Sequence, residues 1–543
     1  MEETSLNIIL LISAIIILIC IFLNRISDKL GIPVLLAFIF LGMIFGSDGL
    51  VKIPYNDYIS SEKICSAALI FIMFYGGFGT NWYKARPVAA KSIILSSLGV
   101  ILTAAFTGLF CFIFLKINFI ESMLIGALLG STDAASVFSI LRSKRLSLRY
   151  NTASLLELES GSNDPCAYML TIIIISIING TANKFTIAYM IFAQVIYGII
   201  IGVTIAAAAS FILKKINFTT NGFETIFVFA VAILAYALPS MLGGNGYLST
   251  YIVGIILGNS SIKNKKTMVS FFDGINGLMQ ILIFFLLGLL SFPSKIPDVF
   301  ITSLFIALFL TLISRPLAVF SILLPFKSKL SQQLVVSWCG LRGAASIVFA
   351  VMAVINVSTE NDIFHIIFCV VLFSILIQGS LLPFFAKKLN MIDNTDDVLK
   401  TFTDYSDEVP VQFVKFTIID SHKWCNKSIK NIILPPDTIL VLLLRNKEQI
   451  VPNGNTVLLN NDVLILCARS TEKINGVCFI ERHITNGDKF IGKTLSEIKK
   501  HSDILIIMIQ RNGKIIIPKG QTTVKENDLI VITYTEKEFK LSI

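Results

Sequence analysis

The sequence predicts an α-helical polytopic membrane protein of about thirteen transmembrane helices, followed by a soluble α+β region made of two copies of one small module. Three observations predict it. Of 543 residues, 55% are hydrophobic and 15% charged, with a mean hydropathy of +0.78, more apolar surface than a soluble fold can bury. Up to about Leu389 the charges sit in short clusters between apolar stretches, whereas the rest of the chain reads as soluble protein. That last part also matches itself at a fixed offset of 66 residues.

Apolar runs long enough for a helix fall near 6–23, 31–47, 64–79, 89–115, 118–141, 151–178, 186–213, 222–241, 246–259, 268–290, 299–325, 332–354 and 361–386. The first is expected to be a retained span, because Met-Glu-Glu-Thr-Ser before it is acidic and lacks the basic flank of a signal peptide. Sorting Lys and Arg by alternate loops gives an 18-to-5 split. One side holds Arg25, Lys29, Lys84, Arg86, Lys91, Arg142, Lys144, Arg145, Arg149, Lys214, Lys215, Lys263, Lys265, Lys266, Lys327, Lys329, Lys387 and Lys388. The other holds Lys52, Lys63, Lys116, Lys184 and Lys295. Cytoplasmic loops are the basic ones, so the amino terminus is expected outside and the carboxy-terminal domain in the cytoplasm of an inner membrane. The same loops account for the net charge of +10, which leaves nucleic acid out as a partner. The nine cysteines have no metal-like spacing and read as free thiols.

Ionisable groups are stranded in three apolar runs. The fifth holds Gly130-Ser131-Thr132-Asp133-Ala134-Ala135-Ser136, and the sixth Glu157-Leu158-Glu159-Ser160-Gly161-Ser162-Asn163-Asp164-Pro165. The twelfth holds Gly340-Leu341-Arg342-Gly343-Ala344-Ala345-Ser346. At ~1.5 Å rise per residue, Asp133, Asp164 and Arg342 all fall near the bilayer midplane. A charge there costs at least about 2.5 kcal/mol on insertion scales and ordinarily lines an ion pathway. The structural alternative is a fixed salt bridge between Arg342 and Glu159, but two acids near one arginine leave a carboxylate over. Glu159 and Asn163 share one helical stripe, Ser160 and Asp164 the next. Pro165 cannot donate to the Gly161 carbonyl. Glycine, serine and alanine in the fifth and twelfth runs suggest broken helices, whose freed carbonyls and amides can face a cation. Asp133-Ala-Ala-Ser136 against Gly343-Ala-Ala-Ser346, at matching depth in antiparallel runs, points to an inverted repeat. Oxygens of Asp164, Thr132 and Ser160 would suit a hard monovalent ion, and His365 and Cys166 look incidental.

These three blocks resemble the NhaP-type branch of the cation:proton antiporter superfamily, over roughly residues 1–390. The resemblance implies K⁺/H⁺ or Na⁺/H⁺ exchange without net charge movement, by a homodimer with elevator-type alternating access. It implies that Asp164 binds proton or cation in turn and that Asn163 takes the place of a second aspartate. It further implies that Thr132, Asp133, Glu159 and Ser160 lie at the ion site and that Arg342 pairs with Glu159. No cofactor is implied beyond the transported ions, and no enzyme motif appears. A strict Na⁺/H⁺ antiporter would use the same residues. A ligand-gated cation channel is the alternative of another class, although no Thr-Val-Gly-Tyr-Gly filter is present.

After the exchanger domain, 1–390, an acidic linker is expected over 391–410, then modules at 411–474 and 475–543. Val411 and Phe413 match Val477 and Phe479, and Lys427 matches Lys493. Asp437 matches Asp503, Arg445-Asn446 matches Arg511-Asn512, and Pro452 and Gly454 match Pro518 and Gly520. Asn461-Asp462 matches Asn527-Asp528. Apolar β-rich runs at Thr438–Leu444, Val463–Leu466, Ile504–Ile509 and Leu529–Thr533 alternate with turn signals. The pattern resembles TrkA-C, the carboxy-terminal lobe of regulators of potassium conductance, without a preceding Gly-x-Gly-x-x-Gly lobe. That resemblance implies either a gate sensing a nucleotide or cyclic dinucleotide, or a device that only assembles the dimer.

Overall fold

Every apolar run becomes helix, but two of them do not become one helix each. The computed structural model of the chain describes residues 2–30, 33–144, 146–216, 222–260, 262, 264–393, 411–420, 422–434, 438–445, 448–450, 452–469, 477–484, 488, 490–501, 505–511, 514–516 and 518–535. The expected linker from 394 onward lies outside these residues. So do the junction at 470–476, the last residues 536–543, Arg145, Lys263, Asp437 and Asp503. The chain divides into two compact units, Met1–Asp407 and Glu408–Ile543.

In the first unit, eight helices among the described residues are long and apolar enough to cross a membrane, from Tyr58–Gly79 to Ile363–Lys388. Shorter apolar helices include Val34–Phe45, Gly246–Gly258, Phe119–Leu128 and Ala344–Asn356. The fifth run splits into Phe119–Leu128 and Ala134–Ser143, and the twelfth into Leu330–Trp338 and Ala344–Asn356. In both, the second half-helix begins at the first alanine of the repeated Ala-Ala-Ser. The small-residue content of these runs therefore marks breaks at corresponding places in two antiparallel elements, as an inverted repeat requires.

Two further spans are widened rather than broken. Leu310–Ser314 and Ser374–Gly379 are π-helical turns. Each lies about one turn before a proline, Pro316 and Pro383, which cannot donate to the carbonyl four residues back. Elsewhere backbones approach closely through glycine. A Cβ on Gly42 would lie 2.2 Å from Phe285 O, and one on Gly288 2.2 Å from Ile39 O. Helices Val34–Phe45 and Lys265–Leu290 therefore meet main chain to main chain, the usual solution where lipid is as apolar as leucine.

The second unit holds two four-stranded antiparallel sheets. The first contains Val411–Thr417, Thr438–Arg445, Glu448–Ile450 and Val463–Arg469, in the order first, fourth, second, third. The second repeats that order with Val477–His483, Leu505–Arg511, Lys514–Ile516 and Leu529–Thr535, each strand ending 66 residues after its counterpart. A helix, Leu495–His501, completes the second module's α+β character.

The matched Arg and Asn-Asp pairs have a physical explanation. Asn461 and Asn527 take left-handed turns, φ 68° and 65°, which asparagine tolerates. The next residue, Asp462 or Asp528, is buried and accepts a two-pronged bond from Arg445 or Arg511, 2.7–2.8 Å per prong. Burial by itself would raise both carboxyls. The guanidinium, with the Leu459 or Lys525 amide, outweighs it and holds each below the usual carboxylate range. Groups with depressed values stabilise the fold above their unfolded value, about 3.9, and lose that contribution as pH falls through the folded one. The modules should therefore lose β-sheet signal on acidification only below about pH 4. Arg445→Ala should weaken the first module by about 2 kcal/mol, seen as selective proteolysis within 411–469; equal resistance of both modules would contradict this.

Candidate functional site

The two breaks cross. The Asp133 amide donates to Leu341 O at 2.7 Å, and a Cβ on Gly343 would lie 2.5 Å from the Asp133 Cβ. Two half-helix carboxyl ends and two amino ends thus meet inside the bundle, each with unmade backbone bonds and about half a charge. Side chains of opposite sign answer the two ends in the fifth run. Asp133 caps Ala134–Ser143, with Oδ1 accepting from the Ser136 amide at 3.2 Å and Oδ2 from the Ser136 hydroxyl. Arg342, fully buried, donates through Nη1 to Leu129 O and, at 2.7 Å, to Ser131 O. Its own amide is held by Ser374 Oγ at 3.0 Å, from the π-turn of the last span.

Helix Thr152–Ile178 passes beside the crossing. Ser160 Oγ donates to Thr132 O at 2.6 Å, and Asn163 Nδ2 to Thr132 Oγ1 at 2.5 Å. Asp164 is 5% exposed, and its Oδ1 accepts the Ser131 hydroxyl. Among the described residues its second oxygen takes no donor. Pro165 O accepts from Asn245 Nδ2 at 2.8 Å.

Glu159 has a different partner from the one expected. The sequence pairs it with Arg342, but the ion pair is Arg315 Nη2 to Glu159 Oε1, 2.5 Å, with both side chains buried. Arg342 is committed instead to the carbonyls at the end of Phe119–Leu128, an acceptor set that exists only because that helix is broken. Arg315 carries the signal that singled out Arg342, a cation inside an apolar run, and it was missed. It follows the π-turn at Leu310–Ser314 and lies against Gly340, where a Cβ would come within 2.8 Å of its Nε.

A cavity of about 600 Å³ opens onto this cluster. Ser131, Thr132, Asp133, Ser160 and Asp164 line it; Asn163, Glu159 and Arg342 do not. Its lining also takes Glu157, on the stripe of Asp164, and the polar stripe Asp273, Asn276 and Gln280 from Lys265–Leu290. The Tyr75 hydroxyl donates to Asp273 at 2.6 Å. Glu157 was visible in the sixth run but unassigned, and Asp273 was hidden near the end of a run. The lining carries no basic side chain, and among the described residues no group of three or more His, Cys, Asp or Glu could hold a metal ion. What the wall offers is carboxylate, hydroxyl and carbonyl oxygen, the donor set of a hard cation carried as substrate.

A helical bundle with crossed broken helices and a buried acidic oxygen cavity is the architecture of a secondary ion transporter. Residues 14–388 match the sodium/hydrogen exchanger transmembrane family, and 413–472 and 479–540 each match the TrkA-C domain. The chain belongs to the sodium/hydrogen exchanger family and is a membrane cation/proton antiporter. It is 33% identical over 470 residues to the K(+)/H(+) antiporter NhaP of Alkalimonas amylolytica, covering 85% of this chain and 82% of that one. To the K(+)/H(+) antiporter NhaP2 of Shewanella baltica (strain OS223) it is 32% identical over 481 residues, 87% and 82% of the two chains. The sodium proton antiporter MjNhaP1 from Methanocaldococcus jannaschii shares the fold, with TM-score 0.61, 24% identity, and coverage of 69% of this chain and 97% of that one.

The Arg315–Glu159 pair yields a test. Arg315→Met leaves a buried carboxylate without a cation and should lower stability by about 3–5 kcal/mol. Adding Glu159→Gln should restore most of the melting temperature in detergent, whereas equal melting of single and double variants would contradict the pairing.

Proposed function

We propose that this antiporter exchanges cytoplasmic K⁺ for H⁺ without moving net charge, with Asp164 taking the proton and the cation in turn. The observation that carries the proposal is Asp164 itself, a carboxylate on the cavity wall with Ser131 on one oxygen and, among the described residues, no donor on the other. A cation entering the cavity meets that oxygen together with oxygens of Thr132 and Ser160, which replace part of its water. Asp133 adds negative potential while serving as a helix cap. Protonation of Asp164 discharges the site, so proton and cation exclude one another. Asn163 beside it is neutral, which makes one proton per cation the natural stoichiometry.

K⁺ is favoured over Na⁺ by the two relatives named as K(+)/H(+) antiporters. A strict Na⁺/H⁺ antiporter is the second reading, favoured by the 28% identity over 330 residues to the Low-affinity Na(+)/H(+) antiporter NhaS1 of Synechocystis sp. (strain ATCC 27184 / PCC 6803 / Kazusa). We place the chain in the inner membrane with its amino terminus outside, as the loop charges indicate. It works there as a homodimer by elevator-type motion, its cytoplasmic modules binding a nucleotide or cyclic dinucleotide that gates exchange.

In proteoliposomes, K⁺ should drive a ΔpH that a membrane-potential clamp leaves unchanged, and Asp164→Asn should abolish it. Exchange retained by Asp164→Asn would remove the assignment. A response to Na⁺ and none to K⁺ would select the second reading.

A further inference from the structure

Ser131 belongs to a motif that the sequence singles out, yet the cation ligands and the ion pair leave it without a role. It lies in the gap between Phe119–Leu128 and Ala134–Ser143, is 1% exposed, and lines the cavity. Its two polar groups point to different partners. The main-chain oxygen accepts from Arg342 Nη1 at 2.7 Å, and the hydroxyl donates to Asp164 Oδ1. One residue therefore ties the cavity carboxylate to the arginine that closes the helix break.

We propose that Ser131 is the positioning residue of the exchange, its hydroxyl holding Asp164 Oδ1 so that Oδ2 is presented to the cargo. The assignment rests on Asp164 as the exchanging group. A hydroxyl donor stabilises a carboxylate more than a carboxylic acid, so the Ser131 bond weights the site towards cation and against proton. It also restricts the carboxylate's rotation, which keeps one oxygen facing the cavity. Arg342 enters indirectly, by anchoring the backbone from which the hydroxyl projects.

Ser131→Ala removes the donor. In proteoliposomes protons should then compete more strongly with the cation. The acid limb of the activity profile should move up by about one pH unit, and the apparent K⁺ constant at fixed pH should rise about ten-fold. Ser131→Thr, which restores a hydroxyl, should return both towards wild type. A lower maximal rate with an unmoved pH profile and K⁺ constant would overturn the proposal, since loss of packing alone gives that result. Should Ser131→Ala not purify as a folded protein, Ser131→Cys, a weak donor of similar size, carries the same comparison: a displaced profile supports the proposal and an unmoved one overturns it. Asp164→Asn in the same assay separates the two claims. If it exchanges normally, the reading of Asp164 fails. If it is inactive while Ser131→Ala keeps the wild-type profile, only the role of Ser131 fails.

Discussion

The organising constraint is the crossing of two interrupted helices inside a bundle that lipid surrounds. A helix break in such a setting exposes backbone groups that no water satisfies, and four helix ends bring opposing partial charges together. The bond from the Asp133 amide to Leu341 O joins the two breaks directly. Asp133 and Arg342 then answer the two ends of the break in the fifth run, one as a helix cap and the other as a donor to carbonyls. Other features follow from that arrangement. Gly343 must be glycine because Asp133 occupies the space of its side chain, and Glu159 pairs with Arg315 while Arg342 Nη1 holds the carbonyls of the break.

Much of this was legible in the chain. Apolar runs located the helices, and the exact-offset matches located two modules whose strands repeat in order. The breaks were legible because glycine, serine and alanine stand where a span normally has bulky apolar residues. The partner of Glu159 was not. Which arginine faces a given acid depends on how two helices are rotated, and a π-turn before Arg315 changes that rotation in a way that a 3.6-residue period does not record. Ser131 was hidden for a related reason: a serine beside a helix break has no periodic face, so its contact with Asp164 emerges only once the break has a shape. Asp273 belongs to no motif that stands out in the chain, although it lines the same cavity as Asp164.

The modules obey the same physics in water. Asn461-Asp462 and Asn527-Asp528 recur because each pair makes a left-handed turn and then buries a carboxylate beneath an arginine fork. Identity at those positions reflects a shared structural requirement, which is why the repeat survives at residues that would otherwise be free to drift. Charge placement thus decides both units: at a helix crossing within the bilayer, and at a turn within a small sheet.

The account's central claim is that one carboxylate is shared by proton and cation. Titrating K⁺ into the purified protein by calorimetry in buffers of different ionisation enthalpy measures it most directly, because the buffer dependence counts the protons released. The account predicts that K⁺ binding to the protonated protein releases about one proton per bound cation, and K⁺ binding with no proton release would contradict it.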